Sequence, residues 1–142
     1  MNAPTIIWFR RDLRLSDQAA VAAAAAAHGP VIPVYILDDE TPKHRRMGGA
    51  SRWWLHRSLE VLEATLRDKG SRLILRRGRA AEVLAEIVKS TGATQVHGLH
   101  HHEPWWRNAE RAQERILAEE AELNLQHGNY LLPPVTVKTG SG

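Results

Sequence analysis

The sequence predicts an α/β fold, a Rossmann-like doubly wound sheet of five parallel strands with helices on both faces. Short apolar runs rich in β-branched residues alternate with longer stretches of helical periodicity. Such alternation favours parallel strands joined by right-handed crossovers. No internal repeat or low-complexity linker interrupts the pattern, and 142 residues that are 43% hydrophobic suit one domain.

Five segments are predicted to be strands. They are Thr5–Phe9, Val31–Leu37, Arg72–Arg76, Gln95–Leu99 and Leu123–His127. Pro33 favours an edge or a bulge, so the second strand has an alternative start just after the proline.

Four helices are predicted between these strands. The first runs from an N-cap at Ser16 to Ala27 and closes at His28 and Gly29. The others are Ser51–Lys69, Ala80–Ser90 and a helix from Pro104 to about Glu122. At each Trp-Trp pair, 53–54 and 105–106, one indole is expected in the core and one at the periphery.

Charged side chains follow the predicted strands. Arg10, Arg11 and Asp12 follow the first strand, and Asp38 and Asp39 follow the second. In a doubly wound sheet, ligands bind outside the carboxyl ends of the strands. Two interpretations remain open here: a ligand site, or an ion-pair network that holds the loops together.

Several site classes are disfavoured by the motifs. The chain has no cysteine, no G-x-G-x-x-G, no Walker A loop and no G-x-S-x-G elbow. A zinc site at His100–Glu103 lacks a second ligand cluster, so a polar strand end is favoured. At Gly48–Ser51 an anion site is possible, but a turn with Ser51 as helix cap is favoured.

The absence of cysteine fits a protein of the cytoplasm. The formal net charge of +3 permits contact with nucleic acid without arguing for it. We expect no membrane association, because the longest low-polarity segment, residues 19–27, is too short to span a bilayer. The N-terminus has no signal-peptide pattern.

Five segments together resemble the N-terminal domain of a class I DNA photolyase or cryptochrome. They read IIWFRRDLRLSDQAA, VYILDDE, GGASRWWLHRSLEVLEATLRDKGSRLILRRG, HEPWWRNAE and YLLPPVTVKTGSG. The resemblance covers essentially the whole chain. It implies an antenna domain over residues 1–132 and the start of a linker over 133–142.

The resemblance also implies cofactors and partners. The antenna pigment of this family is methenyltetrahydrofolate, a deazaflavin or a flavin such as FMN. A following helical domain, absent here, holds FAD, binds damaged DNA and repairs cyclobutane pyrimidine dimers with light. The parent is therefore expected to be a deoxyribodipyrimidine photolyase, a lyase, while the isolated domain is not expected to be catalytic.

The resemblance assigns pigment-binding positions at three places. Phe9, Arg10, Arg11 and Asp12 match the end of the first strand, and Asp38 and Asp39 match the end of the second. Gly48, Gly49, Ser51 and Arg52 match the loop and helix start that close over the pigment. Glu103 matches a glutamate that meets the pterin ring in folate-binding members, although His100–His102 replaces the usual preceding pattern. No catalytic or metal-binding residue is assigned.

Three alternatives to a photolyase antenna domain stay open. The first is the same domain of a cryptochrome photoreceptor, and the second is a stand-alone nucleotide-binding or interaction module. The third is a structural fragment with an empty cleft. A domain separated from its partner also exposes apolar surface, so we expect self-association.

Overall fold

A computed structural model describes residues 2–41, 46–128, 132 and 140. Its elements are β1 (Thr5–Phe9), α1 (Ala19–Ala26), β2 (Val31–Leu37), α2 (Gly49–Asp68), β3 (Ile74–Arg77), α3 (Ala80–Thr91), β4 (Gln95–Leu99), α4 (Pro104–Leu117) and β5 (Glu122–Gln126). The strands form one parallel sheet in the order β3-β2-β1-β4-β5. The predicted fold class is confirmed. The predicted domain boundary falls at the edge of the described residues, and most of the predicted linker lies outside them.

Each face of the sheet has its own apolar core. Ile6 and Trp8 of β1 pack with α3 and α4, whereas Ile7 and Phe9 pack with α1 and α2. Alternate residues of a strand point to opposite faces, so one fully apolar strand supplies both cores. The strand order reverses at β1, and right-handed crossovers therefore place the two pairs of helices on opposite faces.

The N-cap predicted for α1 was wrong. Asp17 has a φ of 51°, so the helix cannot continue back to Ser16. Gln18 is the cap, and its Oε1 accepts hydrogen bonds from the backbone N–H groups of Ala20 and Val21. At the other end His28 takes the left-handed conformation, with a φ of 55°.

Strand β2 keeps its predicted start at Val31, whereas the predicted end of α4 was wrong. Pro33 lies inside β2, at a position that pairs with β1 but not with β3. The pairing of β2 with β3 begins one residue later, at Val34. The proline is therefore tolerated at a local edge. Helix α4 ends at Leu117, five residues before the predicted end, because the chain turns there and enters β5 at Glu122.

The two Trp-Trp pairs also differ from expectation. Trp53 is 56% exposed and Trp54 is 67% exposed, although one of them was expected in the core. The first turns of α2 contribute only partly buried side chains, and its buried residues, Leu62 and Leu66, lie in the second half. Trp105 and Trp106 are both partly buried at the start of α4.

Candidate functional site

A cleft of about 290 Å³ lies at the carboxyl ends of β1 and β2 and is bounded by the starts of α3 and α4. Its walls are mainly aromatic: Trp8, Phe9, Tyr35, Trp105 and Trp106. Its polar side chains are Arg10, Arg11, Asp38, Asp39 and His101. A concave apolar cavity with a few oriented polar groups is the usual form of a small-molecule site.

Arg10 is the most constrained side chain of the cleft. Its Nη1 donates hydrogen bonds to Glu110 Oε1 and to the carbonyl oxygen of Leu99, 3.0 Å away. The guanidinium lies 4.4 Å from the ring centroid of Trp8 and 5.5 Å from that of Trp106. Burial lowers the pKa of Arg10, and the facing Glu110 opposes that effect. Arg10 therefore ties β1 to β4 and α4 while it lines the cleft.

His101 lies between this cleft and a second, more polar cavity. Its backbone N–H donates to Glu110 Oε1 at 2.8 Å, and its ring meets Trp106 edge-on at 5.7 Å. Burial, followed by the charge of Arg10, lowers the pKa of His101 to about 2. The imidazole is therefore neutral at physiological pH.

The remaining charges of the first strand end form ion pairs. Arg11 pairs with Glu103, and Asp12 pairs with Arg14 at 3.0 Å. Arg11 lines the cleft, whereas Asp12 and Glu103 lie beside it. The same stretch thus forms the ion pairs of one interpretation and lines a cavity, while ligand binding in that cavity stays a prediction.

Asp38 joins the end of β2 to the start of α3. Its Oδ1 accepts hydrogen bonds from the backbone N–H groups of Glu40 and Thr41, at 2.9 Å and 2.7 Å. Its Oδ2 accepts from the Ala80 N–H at 3.0 Å and from the Thr41 hydroxyl. Burial alone would raise the pKa of Asp38, but these hydrogen bonds outweigh it and the pKa is lowered.

Asp39 is held by two arginines. Arg52 Nη2 lies 2.9 Å from both carboxylate oxygens, and Arg77 Nη2 lies 3.4 Å from Oδ2. The hydrogen bond from Arg52 is the main reason that the pKa of Asp39 is lowered. The network fixes the start of α2 and the end of β3 against the rim of the cleft.

The glycine segment lies outside the cleft lining. Gly48 is the N-cap of α2 and Gly49 its first residue, so the expected cap at Ser51 was wrong. A Cβ at either glycine would meet no atom within 4 Å. Ser51 is exposed, and Arg52 reaches the rim through Asp39 and through the carbonyl oxygen of Met47.

Sequence reasoning missed Trp8, Tyr35 and His101. Burial raises the pKa of Tyr35 to about 12, so its hydroxyl stays protonated in the cleft. Trp8 precedes Arg10 by two residues, and side chains two apart on a strand share a face. That spacing was the available signal for the Trp8–Arg10 contact.

The histidines after β4 line the second cavity, of about 570 Å³. The rings of His100 and His127 stack at 4.7 Å, and those of His102 and His127 at 5.8 Å. Within the described residues, no group of three histidine or acidic side chains is arranged to hold a metal ion.

Comparison with known proteins gives one consistent family. The family model described as DNA photolyase matches residues 5–142. A deoxyribodipyrimidine photo-lyase of Agrobacterium fabrum is 38% identical over 99% of this chain and 29% of its own length. Cryptochrome-1 of Arabidopsis thaliana is 45% identical over 70% of this chain and 15% of its own length.

Solved structures give the same picture. A class III photolyase from Agrobacterium tumefaciens matches all of this chain and 29% of its own, with a TM-score of 0.91 and 38% identity. A Sulfolobus tokodaii photolyase with two FAD molecules matches 96% of this chain and 32% of its own, with a TM-score of 0.86 and 25% identity. The chain therefore spans less than a third of the length of these relatives. None of the helices in the described ranges is long and apolar enough to cross a membrane.

Proposed function

This chain belongs to the DNA photolyase family, and from that membership we propose that its cleft binds the light-harvesting antenna pigment of a deoxyribodipyrimidine photolyase. Methenyltetrahydrofolate, a deazaflavin and FMN are the candidate pigments. The observation that carries the proposal is a mainly aromatic cleft whose buried Arg10 and His101 retain polar atoms without a partner in the described part of the chain. The Sulfolobus relative, whose two FAD molecules are described as implying a novel light-harvesting cofactor, adds support.

The residues present fit such a pigment. At about 290 Å³, the cavity is near the lower end for ligand pockets, which suits a flat ring whose tail extends outside. Tyr35, Trp105 and Trp106 would contact the ring, with Phe9 fully buried behind the cleft wall. Arg11 stands where it would meet an anionic tail. When bound, the pigment absorbs light and passes excitation to FAD by dipole coupling. That role needs no proton transfer from this chain.

Absorption spectroscopy of the purified chain tests the proposal. The chain is examined as isolated and after titration with methenyltetrahydrofolate, 8-hydroxy-5-deazariboflavin and FMN in turn. We expect a near-ultraviolet or blue band that shifts on binding, with a stoichiometry of one pigment per chain. A chain that binds none of the three would contradict the proposal and favour a module with an empty cleft.

The whole protein's activity and partners are part of the same proposal. We propose that this domain contacts a FAD-binding helical domain, and that the two together repair cyclobutane pyrimidine dimers in damaged DNA. The 45% identity to Cryptochrome-1 supports a second candidate, the antenna domain of a blue-light photoreceptor. Repair of a dimer-containing oligonucleotide by the full-length parent under blue light would distinguish the two.

A further inference from the structure

Two cleft residues carry buried polar atoms that no described residue satisfies. The Nη2 of Arg10 and both ring nitrogens of His101 are buried and lack a hydrogen-bond partner among the residues that the structure describes. Buried polar side-chain atoms in native proteins are nearly always hydrogen-bonded, so each exception needs an explanation. Both residues line the cleft, and His101 is only 6% exposed.

These atoms belong to side chains that are firmly held. The Arg10 guanidinium lies within 5.5 Å of the ring centroids of Trp8 and Trp106, and its Nη1 donates to Glu110 and to the Leu99 carbonyl. The His101 backbone donates to the same Glu110. Glu110, itself 6% exposed, thus positions both residues through one oxygen, Oε1. The unmet hydrogen-bonding capacity is therefore fixed in place, on two residues that line the cleft.

The two residues offer complementary chemistry. A guanidinium has only donors, so Arg10 Nη2 matches an acceptor such as a carbonyl oxygen. The pKa of His101, about 2, keeps its ring neutral, with one nitrogen a donor and the other an acceptor. A ligand edge that carries an acceptor next to a donor would satisfy both residues together.

We propose, on the basis of the pigment-binding function above, that Arg10 and His101 bind the lactam edge of the pigment, where a ring carbonyl oxygen stands beside a ring N–H. The pterin, flavin and deazaflavin ring systems all have such an edge. Arg10 Nη2 donates to the carbonyl oxygen, and a His101 ring nitrogen accepts from the ring N–H. Glu110 acts as a positioning residue and does not contact the pigment.

Variants at His101 test this proposal. His101→Phe keeps a flat ring without nitrogens, and His101→Met is a second variant without them should the first fail to fold. The dissociation constants of methenyltetrahydrofolate, 8-hydroxy-5-deazariboflavin and FMN are measured by absorption titration. We expect the pigment that binds the wild-type chain to bind either variant about tenfold more weakly, the loss that one hydrogen bond explains. The shift of its absorption band is also expected to shrink.

Two controls separate binding from folding. His56→Phe makes the same change on the exposed surface of α2 and should leave the dissociation constant unchanged. The melting temperature of ligand-free His101→Phe should equal or exceed that of wild type, because unsatisfied buried nitrogens are removed.

The outcomes distinguish this inference from the proposed function. If wild type binds a pigment and the dissociation constants of the His101 variants lie within twofold of the wild-type value, the lactam-edge inference is overturned and the pigment site stands. If wild type binds none of the three pigments, the proposed function fails and the inference fails with it.

Discussion

Glu110 is the residue on which the geometry of the cleft depends. Its Oε1 accepts hydrogen bonds from Arg10 Nη1 and the His101 N–H, and its Oε2 lies 3.3 Å from His100 Nδ1. It sits on α4 and faces residues from β1 and the end of β4. One buried carboxylate thus joins three elements at the carboxyl edge of the sheet.

Removing this carboxylate is expected to destabilise the fold strongly. Glu110→Ala leaves the buried guanidinium of Arg10 without its counter-charge, and breaking a buried pair in this way costs about 3 kcal/mol. Urea unfolding followed by circular dichroism measures the change. Glu114→Ala, an exposed position one turn along α4, is the matched control. Equal unfolding midpoints for the two variants would contradict this role of Glu110.

His101 predicts a loss of stability in mild acid. Burial lowers its pKa to about 2 in the folded chain, whereas an unfolded histidine titrates near 6.5. Below about pH 6.5 the unfolded state therefore binds a proton that the folded state does not bind. The free energy of unfolding falls as the pH falls. From pH 7.5 to pH 5.5 His101 should account for about 1 kcal/mol of lost stability. The charged or titratable groups that face it are Arg10, Arg11, His100, His102 and Glu110.

Urea midpoints at the two pH values check this expectation. The dependence on pH should be smaller in His101→Gln than in wild type and unchanged in His56→Gln, an exposed control. It should not vanish, because burial also lowers the pKa of His97. If the urea midpoints of His101→Gln and wild type depended equally on pH, the folded structure would not lower the pKa of His101.

At the scale of elements, Asp38 links the loop after β2 to the N-terminus of α3. It accepts the Ala80 N–H, one of the first amide groups of that helix, which the helix itself cannot satisfy. Asp38→Ala should lower the free energy of unfolding by about 1 to 2 kcal/mol, the usual cost of losing a cap. Thermal unfolding measures the loss, with the exposed neighbour Glu40→Ala as control. A melting temperature unchanged by Asp38→Ala would refute this role.

The elements were predictable where local signals agree with the tertiary structure. Three strands follow from their apolar runs: β1, β2 and β4 have the predicted bounds. The start of α1 could not be found, because Ser16 is the better local cap and only the positive φ of Asp17 excludes it. Helical periodicity continues past Leu117, and the end of α4 depends on the tertiary position of β5.

At the scale of the whole molecule, topology predicted where the site lies but not what lines it. Phe9 ends β1, Arg10 and Arg11 follow it, and Asp38 and Asp39 follow β2. The parallel sheet brings the ends of these two neighbouring strands to one cleft. The contacts of Arg10 with Glu110 and of His101 with Trp106 need the packing of α4 across the sheet. No local pattern encodes that packing, so the sequence offers His101 only as part of a metal site or of a polar strand end.

An exposed apolar face predicts self-association of the isolated chain. Trp54 and Val61, seven residues apart on one side of α2, are each 67% exposed. We propose that this face packs against the remainder of a full-length photolyase, and that copies of the isolated chain pair through it. Sedimentation velocity should show mass rising with concentration, and Trp54→Ser should reduce the rise. Ile116→Ser, an exposed apolar position on α4, is the control.

A wild-type chain that sediments as a monomer at every concentration would contradict this use of the α2 face.

The most direct test of the pigment cleft is an amide chemical-shift map by nuclear magnetic resonance. The chain is labelled with nitrogen-15 and titrated with methenyltetrahydrofolate, 8-hydroxy-5-deazariboflavin and FMN in turn. We predict that one of them shifts the amides of residues 8–11, 35–39, 101, 105 and 106, which line the cleft. Shifts confined to the exposed face of α2 or to the second cavity around His127, or no shifts with any of the three, would contradict it.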